Sequence, residues 1–248
     1  MDGEEPLSTG FKKLDKVLGG GLLPDSLVLL VHETYSWGWL LAFGTLLNRI
    51  REGDFGVVLN SVLPMSALEI ELEPVGISLN ELGRSGNLVI VDLFASIMGI
   101  DYGSDFILRL ENMSPETFVP KYSNLYMGSI YPRIGNRRAV GVDFTLDGLA
   151  LIMGEANTIR VFQRFMALKE NSRLKKRTNR PLNILVLNKD RVSKSFLSWF
   201  SLYSQYVIET VPETNVSERV IVRKSPLAYT PREKVLRLRR KNGRIVVE

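Results

Sequence analysis

Five short runs dominated by Leu, Val and Ile constrain this chain more than any other feature: residues 27–31, 56–59, 87–92, 139–143 and 183–188. A strand-length run that is apolar on both faces belongs in a sheet covered on both sides. Between the runs lie stretches with helical spacing. Leu40, Phe43, Leu47 and Ile50 share one helical face, and Ile159, Phe162 and Met166 share another. Strands that alternate with helices imply right-handed crossovers and a mostly parallel sheet between two helical layers. The expectation is therefore a three-layer α/β fold, with residues 1–248 forming a single domain.

The remaining segments refine that picture. Phe11, Leu14 and Leu18 mark a short helix that Gly19-Gly20-Gly21 ends. Residues 64–83 start as a helix and then loop through Pro74 and Gly76. Residues 99–138 hold Pro115, Pro120 and Pro132 among scattered aromatics and keep no single period; they read as an insertion-like segment with a helix over 115–122. A long amphipathic helix is expected over 155–177. Its basic end (Arg173, Lys175, Lys176, Arg177) suits a helix C-terminus. Beyond residue 188 the pattern becomes antiparallel. Strands fall at 206–209, 219–223 and 234–239, and a Lys241-Asn242-Gly243 turn leads to a last strand at 244–247. These C-terminal antiparallel strands extend the central sheet.

Composition excludes several classes of function. There is no cysteine and one histidine, so disulfide frameworks, thiolate zinc sites and His-rich metal centres are ruled out. No apolar run approaches the ~18 residues of a membrane span. The acidic N-terminus does not read as a signal peptide, so a cytoplasmic protein with no membrane partner is expected. The net charge of +5 permits anionic partners without naming one.

Two phrases carry a family resemblance. One is Thr9-Gly10-Phe11-Lys12-Lys13-Leu14-Asp15-Lys16-Val17-Leu18-Gly19-Gly20-Gly21-Leu22, just before the first apolar run. The other is Gly86-Asn87-Leu88-Val89-Ile90-Val91-Asp92. With the order of elements, they resemble the RecA-like ATPase superfamily in its KaiC/RadA-like branch, and most of all a divergent archaeal offshoot of it. The resemblance covers most of the chain and is weakest over 99–138. It implies a phosphate-binding loop between the first strand and the helix that begins at Leu40.

That loop is His32-Glu33-Thr34-Tyr35-Ser36-Trp37-Gly38-Trp39. A P-loop requires glycines whose amides wrap the phosphates, a lysine for their charge and a Ser/Thr for Mg²⁺. By the resemblance, its first glycine falls on His32, the glycine before the lysine on Trp37, the lysine on Gly38 and the metal hydroxyl on Trp39. The paired glutamates after the second strand fall on Val62 and Leu63, and the Walker B aspartate survives as Asp143. Each lost charge-assisted contact removes on the order of 1.5–3 kcal/mol. Phosphoryl transfer depends on such positioning and neutralisation. The expectation is a non-catalytic pseudo-ATPase with no cofactor, in which indoles fill the phosphate space.

Two of the three tryptophans and the single histidine lie in these eight residues. They read either as core or as anchors for a partner. The binding reading takes His32, Tyr35, Trp37, Trp39 and Asp143 as the site for a protein or peptide, in a monomer or homodimer. Nucleic-acid association is a second reading, through Arg237, Arg239, Arg240, Lys241 and Arg244. Those charges also suit an edge strand that must resist aggregation. Residual nucleotide binding in a rearranged pocket is a third. Asn188-Lys189-Asp190 falls one residue short of a guanine-reading motif and reads as chance.

Overall fold

The computed structural model describes residues 5–174, 179–227 and 235–248. Residues 1–4 of the acidic N-terminus, Lys175, Lys176 and Arg177 of the basic helix end, and Lys234 lie outside the described residues.

The Thr-Gly…Leu-Asp phrase is a local clamp. Asp15 Oδ1 accepts from the Thr9 amide at 2.9 Å and from its hydroxyl at 2.6 Å, and Asp15 Oδ2 accepts from the Ser8 hydroxyl at 2.7 Å. These bonds fix the start of α1 (Lys12–Leu18), which Gly19 ends at φ 89°. Gly21 then has φ 135°, and a Cβ there would lie 2.4 Å from the Leu7 carbonyl oxygen. Only glycine allows the Leu7–Leu22 bridge that closes this entry segment.

The parallel strands are β1 (Leu27–His32), β2 (Phe55–Asn60), β3 (Leu88–Asp92), the short β4 (Ile107–Leu108), β5 (Ala139–Phe144), β6 (Leu182–Asn188) and β7 (Tyr206–Thr214). Three antiparallel strands follow: β8 (Ser217–Lys224), β9 (Leu236–Lys241) and β10 (Arg244–Val247). Among the described residues they form one ten-stranded sheet in the order β10-β9-β8-β7-β1-β6-β5-β2-β3-β4. The β9–β10 turn places Asn242 and Gly243 at positive φ, as the Asn-Gly pair anticipates.

Strand alternation sorts the core into two layers. Val28, Leu30, Val58, Val142 and Ile184 point to the face covered by α1, α2 (Leu40–Arg51), α3 (Met65–Leu72) and α4 (Leu79–Arg84). Leu29, Val31, Leu59, Val91 and Leu185 point to the other face. That face is covered by α5 (Leu93–Met98), α6 (Phe118–Leu125), α7 (Tyr131–Ile134), α8 (Leu146–Met153), α9 (Glu155–Arg173) and α10 (Lys194–Tyr203). A π-helical turn (Tyr126–Ile130) joins α6 to α7. The long helix expected from residue 155 is α9. The sequence pattern did not single out β4, α8 or α10. Among the described residues, no helix is long and apolar enough to cross a membrane.

Buried polar residues close the C-terminal ends of several strands. Asp92 caps α5, accepting from the Ala95 amide at 2.9 Å, and faces Asn60 across the β2–β3 pair. Its other oxygen and Asn60 Oδ1 have no partner among the described residues. Burial pushes this carboxyl above the usual range, against the pull of the Ala95 amide, the Asn60 side chain and the Phe94 amide. Asp92→Asn should therefore change unfolding free energy in urea by less than about 1 kcal/mol, whereas Asp92→Ala, which loses the cap, should cost ~1–2 kcal/mol.

Candidate functional site

β1 delivers the chain to the C-terminal edge of the sheet, where ligands bind in open α/β folds. Residues 33–39 then turn into α2. Their anchors come from distant parts of the chain. The Thr34 amide and hydroxyl donate to Asp190 Oδ2 at 2.8 and 3.0 Å. The Thr34 amide, ahead of the other contacts, holds Asp190 below the usual carboxylate range. Lys189 pairs with Glu33 and Glu209, both at 2.9 Å. The Asn-Lys-Asp stretch thus serves to hold the loop.

The centre of the loop is closed by Glu218, which the sequence reading did not single out. On β8 it alternates inward with Val220 and Val222 and is 0% exposed. Glu218 Oε1 accepts from the Trp37 amide at 2.6 Å, and Oε2 accepts from the Ser36 hydroxyl at 2.6 Å. Ser36 Oγ in turn accepts from the Gly38 amide at 3.0 Å and lies 3.2 Å from Thr210 Oγ1. Burial pushes the Glu218 carboxyl up, against the pull of Ser36 and of the Trp37 and Gly38 amides. Gly38 is required by closeness: a Cβ there would lie 2.0 Å from Thr210 Oγ1 and 2.6 Å from Glu218 Oε2. The Trp37 amide and the Ser36 hydroxyl therefore already hold a carboxyl group supplied by the chain itself. A phosphate brought to the Trp37 amide would meet the Glu218 carboxyl group. The sequence placed indoles in that space; the group on the Trp37 amide is a carboxyl.

The five loop-site candidates do not converge. Tyr35 is 93% exposed at the tip of the anchored loop. Trp37 is half-buried, with the Arg240 guanidinium 4.9 Å from its ring centroid. Trp39, also half-buried, packs against the core, edge-on to Phe43 at 5.7 Å and against Phe144 at 5.0 Å. His32 is 6% exposed, which rules it out as a surface anchor. Its Nδ1 lies 2.9 Å from the Glu33 carbonyl oxygen, its Nε2 has no partner among the described residues, and burial holds its pKa below the ordinary value. Asp143 is separated from the loop altogether. Phe144 faces Trp39, so its strand neighbour Asp143 faces the opposite side of the sheet, beside Leu59 and Leu185.

The C-terminal basic residues are largely engaged. Arg237 binds Glu213 through Nε at 2.8 Å and Nη2 at 3.2 Å. Arg239 pairs with Glu248 at 3.4 Å, and Arg240 lies over Trp37. Lys241 and Arg244 are exposed around the β9–β10 turn.

No protein-family model and no curated relative matches the sequence. Solved structures do. An uncharacterized protein of Pyrococcus horikoshii, crystallised in complex with an unknown peptide, superimposes with a TM-score of 0.79 at 20% identity over 98% of each chain. The fold is RecA-like. A KaiC-like protein of Pyrococcus horikoshii matches this RecA-like chain with a TM-score of 0.70 at 17% identity over 98% of each chain. The flagellar accessory protein FlaH of Methanocaldococcus jannaschii gives 0.62 at 18% identity over 95% of each. These identities establish shared architecture, with the sheet order and C-terminal antiparallel extension described above.

Proposed function

We propose that the protein is a non-catalytic RecA-like module that binds a peptide or protein segment at the loop between β1 and α2. The observation that carries this reading is the Glu218 carboxyl group on the Trp37 amide and the Ser36 hydroxyl. Triphosphate binding needs free amide donors and a loop lysine; here the Trp37 amide is engaged by Glu218 and residues 32–39 contain no lysine. What the loop presents outward is Tyr35, two residues ahead of the half-buried Trp37 that Arg240 covers. An exposed aromatic on a loop fixed at both ends is a preorganised anchor of the kind that dominates protein interfaces. The unknown peptide bound by the structurally similar Pyrococcus horikoshii protein is consistent with such a role.

Two measurements test this. Mg-ATP at millimolar concentration should leave the melting temperature unchanged, since a ligand absent from the folded state adds no stability. A rise of several degrees would overturn the non-catalytic reading. Selection from a random peptide library should yield sequences whose affinity falls about tenfold or more on Tyr35→Ala, an anchor-sized effect. Peptides that bind Tyr35→Ala as tightly as wild type would move the site away from the loop.

The engagement of Arg237, Arg239 and Arg240 within the chain favours this reading over nucleic-acid association. Binding of a labelled oligonucleotide that weakens steeply with salt would reverse that preference.

A further inference from the structure

On the sheet face away from the loop, Asp143 stands on β5 between Leu59 of β2 and Leu185 of β6. It is half-buried and has no hydrogen-bond or ion-pair partner among the described residues. Its charge is felt by Tyr122 of α6, whose phenol it helps to push up. Tyr122 belongs to an aromatic row that burial does not fully close. It stacks on Phe118 at 6.0 Å and on Tyr126 at 6.4 Å, and meets Phe165 of α9 edge-on at 5.3 Å. Tyr122, Tyr126 and Phe165 are each half-buried, and Tyr126 opens the π-helical turn. Such turns inside helices often mark functional positions.

Leu59, the register partner of Asp143, belongs to the cluster on which Tyr122, Tyr126 and Phe165 pack, so an unpartnered carboxylate and half-buried rings share this face. The carboxylate lacks a cation, and π faces attract the same kind of group. Among the described residues no group of three His, Asp or Glu stands together to hold a metal ion, so an organic cation suits the surroundings better. We propose that Asp143, with Tyr122, Tyr126 and Phe165, forms a receptor for an alkylammonium group, either a free amine or the lysine side chain of a partner. This site is separate from the loop and does not depend on the function proposed for it.

The pH dependence follows from the surroundings. Burial alone pushes the Asp143 carboxyl up to about 7. The titratable groups facing it are the Tyr122 phenol and, through it, Tyr126. β2 and β6 present Leu59 and Leu185, α8 presents Leu149 and Met153, and α9 presents Val161 and Phe165.

Binding of n-butylammonium and of N-acetyl-lysine amide to the full chain, measured by calorimetry or NMR at constant ionic strength, tests the site. Wild type should bind butylammonium saturably, with affinity rising about tenfold from pH 6 to pH 8 as Asp143 ionises. Asp143→Asn should abolish both the binding and its pH dependence, and Tyr122→Leu should weaken binding while keeping the pH profile. Equal affinity for the two probes assigns the site to the amine head; tighter lysine binding assigns it to a partner side chain. The proposal fails if wild type shows no saturable binding, or if Asp143→Asn binds like wild type.

Discussion

Glu218→Ala should destabilise the protein by about 2–4 kcal/mol, because truncation strips buried donors of their acceptor. Glu218 is the acceptor for the Trp37 amide and the Ser36 hydroxyl, and Ser36 passes the connection on to Gly38. Truncation leaves these donors buried and unpaired, and each such loss costs ~1–3 kcal/mol. For a chain of this length the melting temperature should fall by roughly 10 °C. Glu218→Gln keeps the shape but turns one acceptor into a donor, so it should cost about 1–3 kcal/mol. Formate should fit where the alanine variant leaves a carboxylate-shaped space and restore part of its stability in a concentration-dependent way, with no effect on wild type. A loss below about 1 kcal/mol for Glu218→Ala, with no response to formate, would mean that the amides are satisfied without this carboxylate.

This contact also shows where sequence reasoning stops. The apolar strands were legible because burial on both faces leaves an uninterrupted run, as in Leu-Val-Leu-Leu-Val of β1. The glycine turn and the Asn-Gly hairpin were legible because each needs a backbone conformation that few residues adopt. Helix α8 was not: Leu-Asp-Gly-Leu-Ala-Leu-Ile-Met is apolar nearly all round and shows no clear face. Helix α10 carried a usable signal that went unread, with Ser193 capping a run that buries Phe196 and Phe200 four residues apart. Glu218 lies 181 residues from Trp37 in sequence, and no local pattern reports such a pairing. Its only trace is a charged residue on the inward side of an otherwise apolar alternation, Glu218, Val220, Val222. The placement of Asp143 turned on a single residue of strand register. Moving one position along β5 exchanges the Trp39 side of the sheet for the Tyr122 side.

That register leads to the second large effect: Asp143→Asn should stabilise the protein at pH 8. The folded-state carboxyl titrates at about 7, against an ordinary value of 3.8. Between those pH values the folded chain holds a proton that the unfolded chain has released. Stability therefore falls as pH rises through this window and levels off above it. A fully desolvated carboxylate would cost the fold about 4 kcal/mol by pH 8, and the partial contact of Asp143 with water reduces this to on the order of 3 kcal/mol. Asparagine keeps the volume and has no charge to desolvate. Urea unfolding should give nearly equal stabilities for the two proteins near pH 4 and a gap that opens steadily up to pH 8. Curves that run parallel across this range would show that Asp143 ionises in the folded protein without penalty. If the gap opens as expected, saturating butylammonium should narrow it at pH 8 but not at pH 5, because the cation stabilises only the ionised form. A residue that lowers stability at neutral pH, yet is compensated by a cation, has the energetic profile of a binding group rather than of a structural one.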